Sequence, residues 1–423
     1  MSSRSESIVT GTGTLPEVRY RLRLKPGRER SLRLHHPWVF TGAVEQVEAL
    51  EGAAPGDLGD VISAEGAFLG RGTVQPESQI LARILSFEDR PIDAALFRER
   101  LLRAAALRER VIDPGATDAY RLAHSEGDEL PGLIIDRYGD VLSVQTLTAG
   151  MMRFRPLWLD LLEELFHPRA IVERGREARR EAMEGDEAQD AVLRGVLPEG
   201  RLEIRENRHR FVFDLIGGQK TGFYLDQRDS RRAVEQFARD TDLLDLFAYA
   251  GGFSVHAGRG GANSVVAVES SAPARELLLE NWRLNELAPE RLSVQGGDAF
   301  QFLRRDERTF DRMVIDPPPL ARDRGSLERA LRAYKDLHLW AFVRAREGAM
   351  IWTYSCSQHV SPDLFQKVVF GAARDAEASV QWLGRLGPGA DHPVHLDHPQ
   401  GEYLKGLWLR VLKPGKVKEK RGA

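Results

Sequence analysis

Four acidic residues stand at or just after successive apolar runs in the second half of this 423-residue chain: Asp245, Glu269, Asp298 and Asp316. The runs alternate with helical patterns from about residue 242 to residue 412, which predicts a parallel, doubly wound α/β sheet. In such a sheet the carboxyl ends of the strands line one edge, where ligands bind. A single acid there would be an ordinary solvated strand end, whereas four at one edge indicate a binding site.

The positions of these residues favour a nucleotide-like ligand. The first run is followed by Gly251-Gly252, a turn in which the backbone can come close to a bound molecule. Glu269 is placed to accept hydrogen bonds from both hydroxyls of a ribose, and Asp298 could accept one from an adenine amine. The glycine turn alone is weak support, because the chain has no GxGxxG fingerprint there.

Cys356 is the only cysteine of the chain, and it lies in the segment Tyr354-Ser355-Cys356-Ser357 after the fifth apolar run. One cysteine excludes an internal disulfide and a multi-cysteine zinc site, and we expect no metal. A lone cysteine is most often a small core residue. Its place beside Asp316-Pro317-Pro318, at the same edge of the sheet, favours a nucleophile instead.

Three domains after a tail must position these residues. Residues 1–17 are predicted to form a flexible polar tail, and short strand-like runs with recurrent glycines predict a small β-barrel in residues 18–90. A helical run after Pro91 and a hairpin turned at Tyr138-Gly139-Asp140 predict an α+β domain in residues 91–217. The doubly wound sheet then belongs to residues 218–423.

Composition and charge exclude several classes of protein. No stretch approaches the roughly 18 apolar residues of a membrane span, and the N-terminus lacks a signal-peptide core, so we expect a soluble, cytoplasmic protein. A net charge of −3 does not indicate a nucleic-acid binder. Residues 19–36 are nevertheless basic, and form either a solvated strand face or a phosphate-binding surface made by Arg21, Arg23, Lys25 and Arg28.

The acids at the strand ends resemble those of the class I methyltransferases, which bind S-adenosylmethionine (SAM), over roughly residues 218–412. The segments GQKTGFYLDQRDSRR, DLFAYAGGFS, DPPPLARDR, YSCSQHVS and GEYLKGLWLRV, with HPWVFTGAV and YRLAHSEGDELPGLIIDRYGD upstream, resemble one bacterial family more closely. This family is the large-subunit (23S) ribosomal RNA cytosine-C5 methyltransferases with an N-terminal PUA domain. The resemblance covers almost the whole chain after residue 17.

The resemblance implies a Rossmann-like methyltransferase domain with a seven-stranded, mostly parallel sheet, preceded by a PUA-like RNA-binding barrel and an α+β middle domain. It implies SAM as cofactor and ribosomal RNA as partner, with a homodimer as an open question. Residues 220–228 would fold over the cofactor, with Phe223 near the adenosine, unless that ring is a core aromatic. The implied cofactor-binding residues are Lys220, Phe223, Gln227, Arg228, Asp245, Phe247, Tyr249, Gly251, Phe253, Glu269, Ser270, Asp298, Ala299, Asp316 and Pro317.

The same family implies that Cys356 and Asp316 are catalytic. A thiolate that adds to carbon 6 of cytosine makes carbon 5 nucleophilic, and Asp316 would stabilise the charge at N3 and the amino group. The thiol must then have a lowered pKa or pass its proton to a neighbour on attack. The base that removes the carbon-5 proton is not identified by the sequence.

Three other functions stay open. RNA N-methylation needs no cysteine, although Pro319 stands where such enzymes commonly place a stacking aromatic after the Pro-Pro pair. Uridine-C5 methylation uses the same cysteine adduct, but the PUA-like N-terminus favours cytosine. A non-enzymatic RNA-binding assembly factor is disfavoured by the presence together of Asp245, Glu269, Asp298, Asp316 and Cys356.

Overall fold

The computed structural model describes residues 17–175, 190–197, 200–216, 222–321 and 323–416. The predicted tail therefore lies outside the described residues apart from Glu17. The chain forms two compact units. The first contains the residues up to Asp113, Tyr120–Glu199 and Asp391–Gly401, and the second contains Pro114–Ala119, Gly200–Ala390 and the residues from Glu402. None of the described helices is both long and apolar enough for a transmembrane segment.

The first unit begins with a six-stranded sheet in the order β2-β6-β5-β4-β1-β3. Side chains along a strand point alternately to opposite faces of the sheet, so Tyr20, Leu22 and Leu24 lie on one face and contribute to a small core. Its elements are β1 (Val18–Leu24), α1 (Arg30–Arg33), β2 (Trp38–Phe40), β3 (Val44–Ala49), β4 (Leu58–Ile62), β5 (Phe68–Val74) and β6 (Ile80–Ser86).

A five-stranded sheet in the order β11-β10-β9-β8-β7 completes the first unit. Tyr138 pairs with Val141, and Gly139 adopts φ 61°, so the predicted hairpin turn is confirmed. The elements are α2 (Ala94–Val111), β7 (Ala119–His124), β8 (Leu133–Tyr138), β9 (Val141–Thr146), α3 (Ala149–Arg153), α4 (Arg155–Phe166), β10 (Ala170–Glu173) and β11 (Ala191–Gly195).

Residues 391–401 return to the first unit through a buried ionic network. Arg108 pairs with both oxygens of Asp128 at 2.7 and 2.8 Å, and it donates to the carbonyl of Asp391 at 2.6 Å. The Asp391 carboxylate accepts from the backbone N–H of Arg121 at 2.9 Å. Since Arg108 and Asp391 are almost fully buried, their hydrogen bonds are made in a low-dielectric interior and hold the segment in place.

The second unit contains a seven-stranded sheet in the order β16-β15-β14-β17-β18-β20-β19, preceded by the hairpin β12-β13. The first five strands are parallel and the last two pair antiparallel, which confirms the predicted seven-stranded, mostly parallel sheet. The strands are β12 (Leu202–Glu206), β13 (His209–Phe213), β14 (Asp242–Leu246), β15 (Ser264–Glu269), β16 (Leu292–Gly296), β17 (Phe310–Ile315), β18 (Ala345–Ser355), β19 (Ser379–Leu386) and β20 (Lys405–Lys413).

Helices connect the parallel strands, as right-handed crossovers require. They are α5 (Arg228–Gln236), α6 (Gly252–Arg259), α7 (Ala272–Leu284), α8 (Ala299–Arg305), α9 (Leu327–Arg344) and α10 (Pro362–Asp375). The central strands are buried on both faces, so that Leu243, Leu244 and Leu246 are fully inaccessible. Continuous apolar runs, rather than alternating ones, are therefore the pattern of this sheet.

The hairpin β12-β13 is fastened to the second unit by Asn281 of α7. The Asn281 side chain accepts from the Val212 N–H at 2.7 Å and donates to the carbonyls of Val212 at 3.2 Å and Ala250 at 2.9 Å. Asn281 is fully buried, so water cannot replace its hydrogen bonds to these backbone groups. The hairpin thus belongs to the second unit, although the sequence pattern groups it with residues 91–217.

Asn281→Ala should lower the free energy of unfolding by about 2–4 kcal/mol, because it leaves buried backbone groups without partners. Urea unfolding followed by circular dichroism measures the change. Asn263→Ala, at an exposed position, is the matched control and should be near neutral. An Asn281→Ala protein as stable as that control would contradict the fastening role.

Candidate active site

Asp245 lies near the carboxyl end of β14 and is almost fully buried. The Ser254 hydroxyl, on α6, donates to Asp245 Oδ2 at 2.6 Å. Burial raises the pKa of Asp245 to about 7, and the hydrogen bond from Ser254 offsets part of that rise. A carboxyl group held at this cost in the interior is typical of a functional site.

The loop between β14 and α6 has a strained backbone. Phe247 and Tyr249 adopt left-handed φ values of 63° and 48°, which cost roughly 1–3 kcal/mol each in non-glycine residues. Tyr249 is held at both ends: its N–H donates to Glu269 Oε2 at 3.0 Å and its hydroxyl to the Gly222 carbonyl at 2.9 Å. The loop is therefore fixed to the neighbouring strand end before any ligand binds.

The two glycines of this loop are explained by packing. Gly251 has φ 80°, and a Cβ there would lie 2.7 Å from Leu278 Cγ. A Cβ on Gly252 would lie 2.5 Å from Arg231 Nε. Both distances are shorter than real Cβ contacts, so each glycine admits a side chain from another helix. Close approach to a ligand, the reason expected from the sequence, is not needed to account for them.

Glu269 ends β15 with a buried carboxylate. Oε2 accepts from the Tyr249 N–H and Oε1 from the Ser271 N–H at 2.8 Å. Arg275 donates to the Glu269 carbonyl at 2.9 Å and to the Ser270 carbonyl at 2.7 Å, which fixes the strand end. Oε1 also accepts from the Ser270 hydroxyl at 3.3 Å, so protein donors hold both carboxylate oxygens in place.

Asp298 follows β16 and caps α8, because its Oδ1 accepts from the Gln301 N–H at 2.9 Å. Its side chain is exposed, whereas Ala299 beside it is buried. A cavity of about 340 Å³ lies here, lined among others by Val268, Gln295 and Phe302. Asp298 lines this cavity, and Val268, the residue before Glu269, lines it from the adjacent strand.

Cys356 and Asp316 lie together after β18 and β17. The Cys356 thiol donates to the Pro317 carbonyl over 3.8 Å, and Gln227 Nε2 donates to Asp316 Oδ2 at 3.1 Å. Burial and the negative charge of Asp226 raise the pKa of Asp316 to about 7. Burial, Asp316 and Asp226 raise the pKa of Cys356 to about 12. A lowered thiol pKa, one of the two alternatives expected from the sequence, therefore does not describe the free protein, where burial first and the two carboxylates second raise it.

Sequence reasoning missed three charged residues of this site. Asp226 accepts from the Tyr403 hydroxyl at 2.7 Å. Lys405 Nζ donates to the carbonyls of Ser357 at 2.7 Å and Tyr403 at 2.9 Å. Arg231 on α5 pairs with the buried Glu206 of β12 at 2.8 Å. All three residues lie inside family motifs, Asp226 and Arg231 in YLDQRDSRR and Lys405 in GEYLKG, so the motifs could have pointed to them. The sequence does not show their contacts, because most of the partners are distant in the chain.

Phe223 and Phe253 lie on either side of Arg231. The guanidinium is 4.4 Å from the Phe223 ring centre and 5.7 Å from that of Phe253. Phe223 also packs against Phe211 at 4.8 Å and is buried, so in this structure it is a core aromatic. Its expected contact with adenosine stays a prediction.

The remaining implied cofactor-binding residues differ in burial and in their contacts. Lys220 lies outside the described residues. Gln227, Arg228 and Pro317 are buried, Ser270 is exposed, and Phe247 packs edge-on against Phe300 at 6.2 Å. Gln227 contacts Asp316 directly, and Asp245, Tyr249, Gly251 and Glu269 meet around one loop. The cofactor roles of these residues stay predictions.

The basic strand β1 is partly neutralised by its neighbours. Arg21 is exposed, and the residues opposite it in the two neighbouring strands are Glu48 and Asp60. Arg23 donates to the Ala64 carbonyl at 2.9 Å and Lys25 to that of Gly42 at 3.1 Å, while Arg28 is exposed. Carboxylates beside Arg21 weaken its attraction for phosphate, so RNA contact by these four residues stays a prediction.

His209 of β13, Glu235 of α5 and His256 of α6 form a cluster whose side-chain atoms are close enough together to hold a metal ion. His209 Nε2 is 2.8 Å from Glu235 Oε2, and ligand atoms of His209, Glu235 and His256 all lie within 4.8 Å of one another. Each of these side chains already has a protein partner, His256 through the Gly252 carbonyl at 2.8 Å. Burial, with the charges of His209 and Arg231, lowers the pKa of His256.

Comparison with known families agrees with this geometry. A model of S-adenosylmethionine-dependent methyltransferases matches residues 179–393, and a model of PUA-like domains matches residues 22–87. The chain belongs to the S-adenosylmethionine-dependent methyltransferases. The N-terminal match confirms the predicted PUA-like domain, on the six-stranded sheet of the first unit.

Curated relatives of this methyltransferase match over nearly its whole length. The chain is 40% identical over 396 residues to "Ribosomal RNA large subunit methyltransferase I" of Cronobacter sakazakii, covering 93% of this chain and 99% of that protein. It is 41% identical over 395 residues to the protein of the same name in Shewanella denitrificans, covering 92% and 99%. The resemblance inferred from the motifs is confirmed.

Solved structures share the fold. A SAM-dependent methyltransferase from Streptococcus mutans superposes with a TM-score of 0.79 at 20% identity, covering 92% of this chain and 100% of that one. A second methyltransferase, solved in complex with SAH, gives a TM-score of 0.80 at 21% identity with the same coverage. The family match gives SAM as the cofactor, and the roles of Glu269 toward its ribose and of Asp298 toward its adenine stay predictions.

Glu269→Ala should weaken SAM binding by about 2–3 kcal/mol, because the variant loses a charged acceptor. Isothermal titration calorimetry measures the affinity directly. Glu276→Ala, an exposed glutamate on α7, is the control and should bind as the wild type does. Unchanged affinity in Glu269→Ala would remove this residue from the cofactor site.

Asp245→Asn should raise the free energy of unfolding at pH 8 on the order of 1–4 kcal/mol, since one pKa unit is worth about 1.4 kcal/mol. The folded pKa of about 7 lies above the ordinary 3.8, so the folded state binds more protons and loses stability as pH rises between these values. The gain should shrink at pH 5.

Urea unfolding at the two pH values tests this sign. Asp242→Asn is the opposite control, because the Ser264 hydroxyl and Arg346 lower the pKa of Asp242. That variant should be less stable than the wild type at pH 8. An Asp245→Asn protein that is no more stable at pH 8 than the wild type would show that burial does not raise this pKa.

Proposed function

We propose that this methyltransferase forms 5-methylcytosine in large-subunit (23S) ribosomal RNA through a covalent adduct of Cys356. The observation that carries the proposal is that the Cys356 thiol donates to the carbonyl of Pro317, the residue after Asp316, at the strand ends of a SAM-dependent methyltransferase. The relatives named for ribosomal RNA large subunit methyltransferase I support the substrate. The proposed domains are a PUA-like domain at 18–90, a middle domain at 91–217 and a methyltransferase domain at 218–423, with the hairpin β12-β13 at the end of the middle segment packed in the methyltransferase unit.

The chemistry requires a nucleophile because carbon 5 of cytosine is electron-poor. The Cys356 sulfur forms a bond to carbon 6, and the electrons of the carbon 5–carbon 6 double bond move toward N3. Carbon 5 becomes nucleophilic, and SAM, when bound, supplies the electrophilic methyl group. A base then removes the proton from carbon 5, the double bond re-forms and the sulfur leaves.

Asp316 can accept the thiol proton in the first step and then donate it to the cytosine ring. Its pKa of about 7 allows both the carboxylate and the carboxylic acid at neutral pH. As carboxylate it takes the proton of the Cys356 thiol, whose raised pKa makes such a transfer necessary. As acid it then donates that proton to N3, where negative charge develops. This sequence balances the proton without a pre-formed thiolate.

RNA must present the base outside a stacked duplex, because sulfur attacks from above the ring. The PUA-like domain and the basic residues Arg21, Arg23, Lys25 and Arg28 are proposed to bind the RNA backbone. Ribosomal RNA as substrate implies action in the bacterial cytoplasm. Uridine-C5 methylation would use the same sulfur chemistry, and nucleoside analysis separates the two products.

Cys356→Ser should nearly abolish methylation of 23S RNA and leave SAM binding intact, because a hydroxyl is a far weaker nucleophile. RNA containing 5-fluorocytosine cannot lose its carbon-5 substituent as a proton, so the wild type should stall as an adduct that survives denaturing electrophoresis. The serine variant should give no adduct. Near-normal turnover of the serine variant, with the methyl group on nitrogen by mass spectrometry, would overturn cytosine-C5 methylation in favour of N-methylation.

A further inference from the structure

Lys405 places a buried ammonium group beside the nucleophile. It begins β20 and pairs with Ser355, the last residue of β18, so that its side chain reaches the segment containing Cys356. Nζ donates to the carbonyls of Ser357 and Tyr403, and Lys405 is only 4% exposed. Two hydrogen bonds to neutral carbonyls hold the cation but do not neutralise it.

Burying a cation without an ion pair costs several kcal/mol, and the described residues give Lys405 no carboxylate within salt-bridge distance. The two carbonyl hydrogen bonds offset part of this cost, and negative charge nearby offsets more of it. Three acidic groups face this region: the carboxyl groups of Asp316 and Asp226, and the Cys356 thiol. Glu402, close in sequence, also interacts electrostatically with Lys405.

These charges act on the sulfur in opposite directions. Asp316 and Asp226 raise the pKa of Cys356, and Lys405 is the cation that lowers it. The thiol in turn raises the pKa of Lys405, against the desolvation that lowers it. The Ser357 carbonyl bonded to Nζ also fixes the backbone just after the nucleophile.

We propose that Lys405 is a positioning residue for Cys356, with its ammonium charge stabilising the sulfur as negative charge develops on it. Lys405 stays protonated throughout: the thiol proton leaves to Asp316, and the sulfur electron pair forms the bond to carbon 6. This inference rests on the proposed role of Cys356 as nucleophile. A purely mechanical role, in which Lys405 only ties down the backbone of residues 355–357, would need hydrogen-bond donors but no charge.

The alkylation rate of the Cys356 thiol distinguishes an effect of the Lys405 charge from a purely mechanical role of this residue. Cys356 is the only cysteine, so mass spectrometry of the intact protein follows its alkylation by iodoacetamide without interference. Only thiolate reacts, so below the thiol pKa the rate rises with pH, and a vertical shift of the log-rate profile reports a change in pKa. The assay needs neither RNA nor SAM, and its outcome is independent of the methylation assay.

Lys405→Gln retains donors for the carbonyls and removes the charge, and it should be alkylated about tenfold more slowly than the wild type between pH 7 and 9. Lys405→Arg retains the charge and should recover most of the rate. Lys335→Gln, which removes an exposed lysine paired with Asp375, is the control and should match the wild type. An unchanged profile in Lys405→Gln, or a folded Lys405→Arg as slow as Lys405→Gln, would overturn the proposal.

A second pair of variants covers the case in which the unbalanced negative charge left by Lys405→Gln prevents folding. Asp316→Asn should be alkylated faster than the wild type, because one of the two opposing carboxylates is gone. Asp316→Asn/Lys405→Gln removes one charge of each sign and should again be about tenfold slower than Asp316→Asn. Equal rates in these two would overturn the role of Lys405. A wild type that forms no 5-fluorocytosine adduct, yet shows the Lys405 effect, would instead contradict only the proposed reaction.

Discussion

The burial of acidic groups at one edge of a parallel sheet is the constraint on which the rest of the second unit depends. Asp245 and Glu269 are nearly inaccessible, and Asp316 has its pKa raised to about 7 by burial and by Asp226. An ionised group in such a place is costly unless hydrogen bonds or opposite charges stabilise it. The Ser254 hydroxyl, the N–H groups of Tyr249 and Ser271, and the Gln227 amide are those compensations.

The compensating groups explain the unusual backbone around them. Tyr249 can donate its N–H to Glu269 only because the loop after β14 takes left-handed φ values at Phe247 and Tyr249. Gly251 and Gly252 then let Leu278 and Arg231 close over the loop. The hydrogen bonds and tight packing here hold the strained backbone in one arrangement.

The charges around Cys356 bear on the proposed role of this thiol as a nucleophile. Burial, together with the charges of Asp316 and Asp226, raises the pKa of the Cys356 thiol, which donates a weak hydrogen bond to the Pro317 carbonyl. A thiol that stays protonated until the base arrives is less exposed to oxidation than a free thiolate. In the proposed reaction, deprotonation of the thiol depends on Asp316 and stabilisation of the sulfur on Lys405.

The sequence by itself determined the α/β class, the strand-end acids, the single cysteine and the family, because each depends on residues close in the chain. Apolar runs of strand length separated by helical patterns are local features, and so are motifs such as DPPP and YSCS. The hairpin turn at Gly139-Asp140 was predictable for the same reason.

Only the tertiary structure decided which side chains meet across long separations. Lys405 reaches the Ser357 carbonyl from another strand, Arg231 finds Glu206 in the hairpin, and residues 391–401 return to Arg108 and Arg121. The thiol pKa likewise depends on Asp226 and Asp316, which lie far from Cys356 in the chain. Electrostatic interactions depend on distance and burial in the folded protein, and neither can be obtained from the spacing of residues along the sequence.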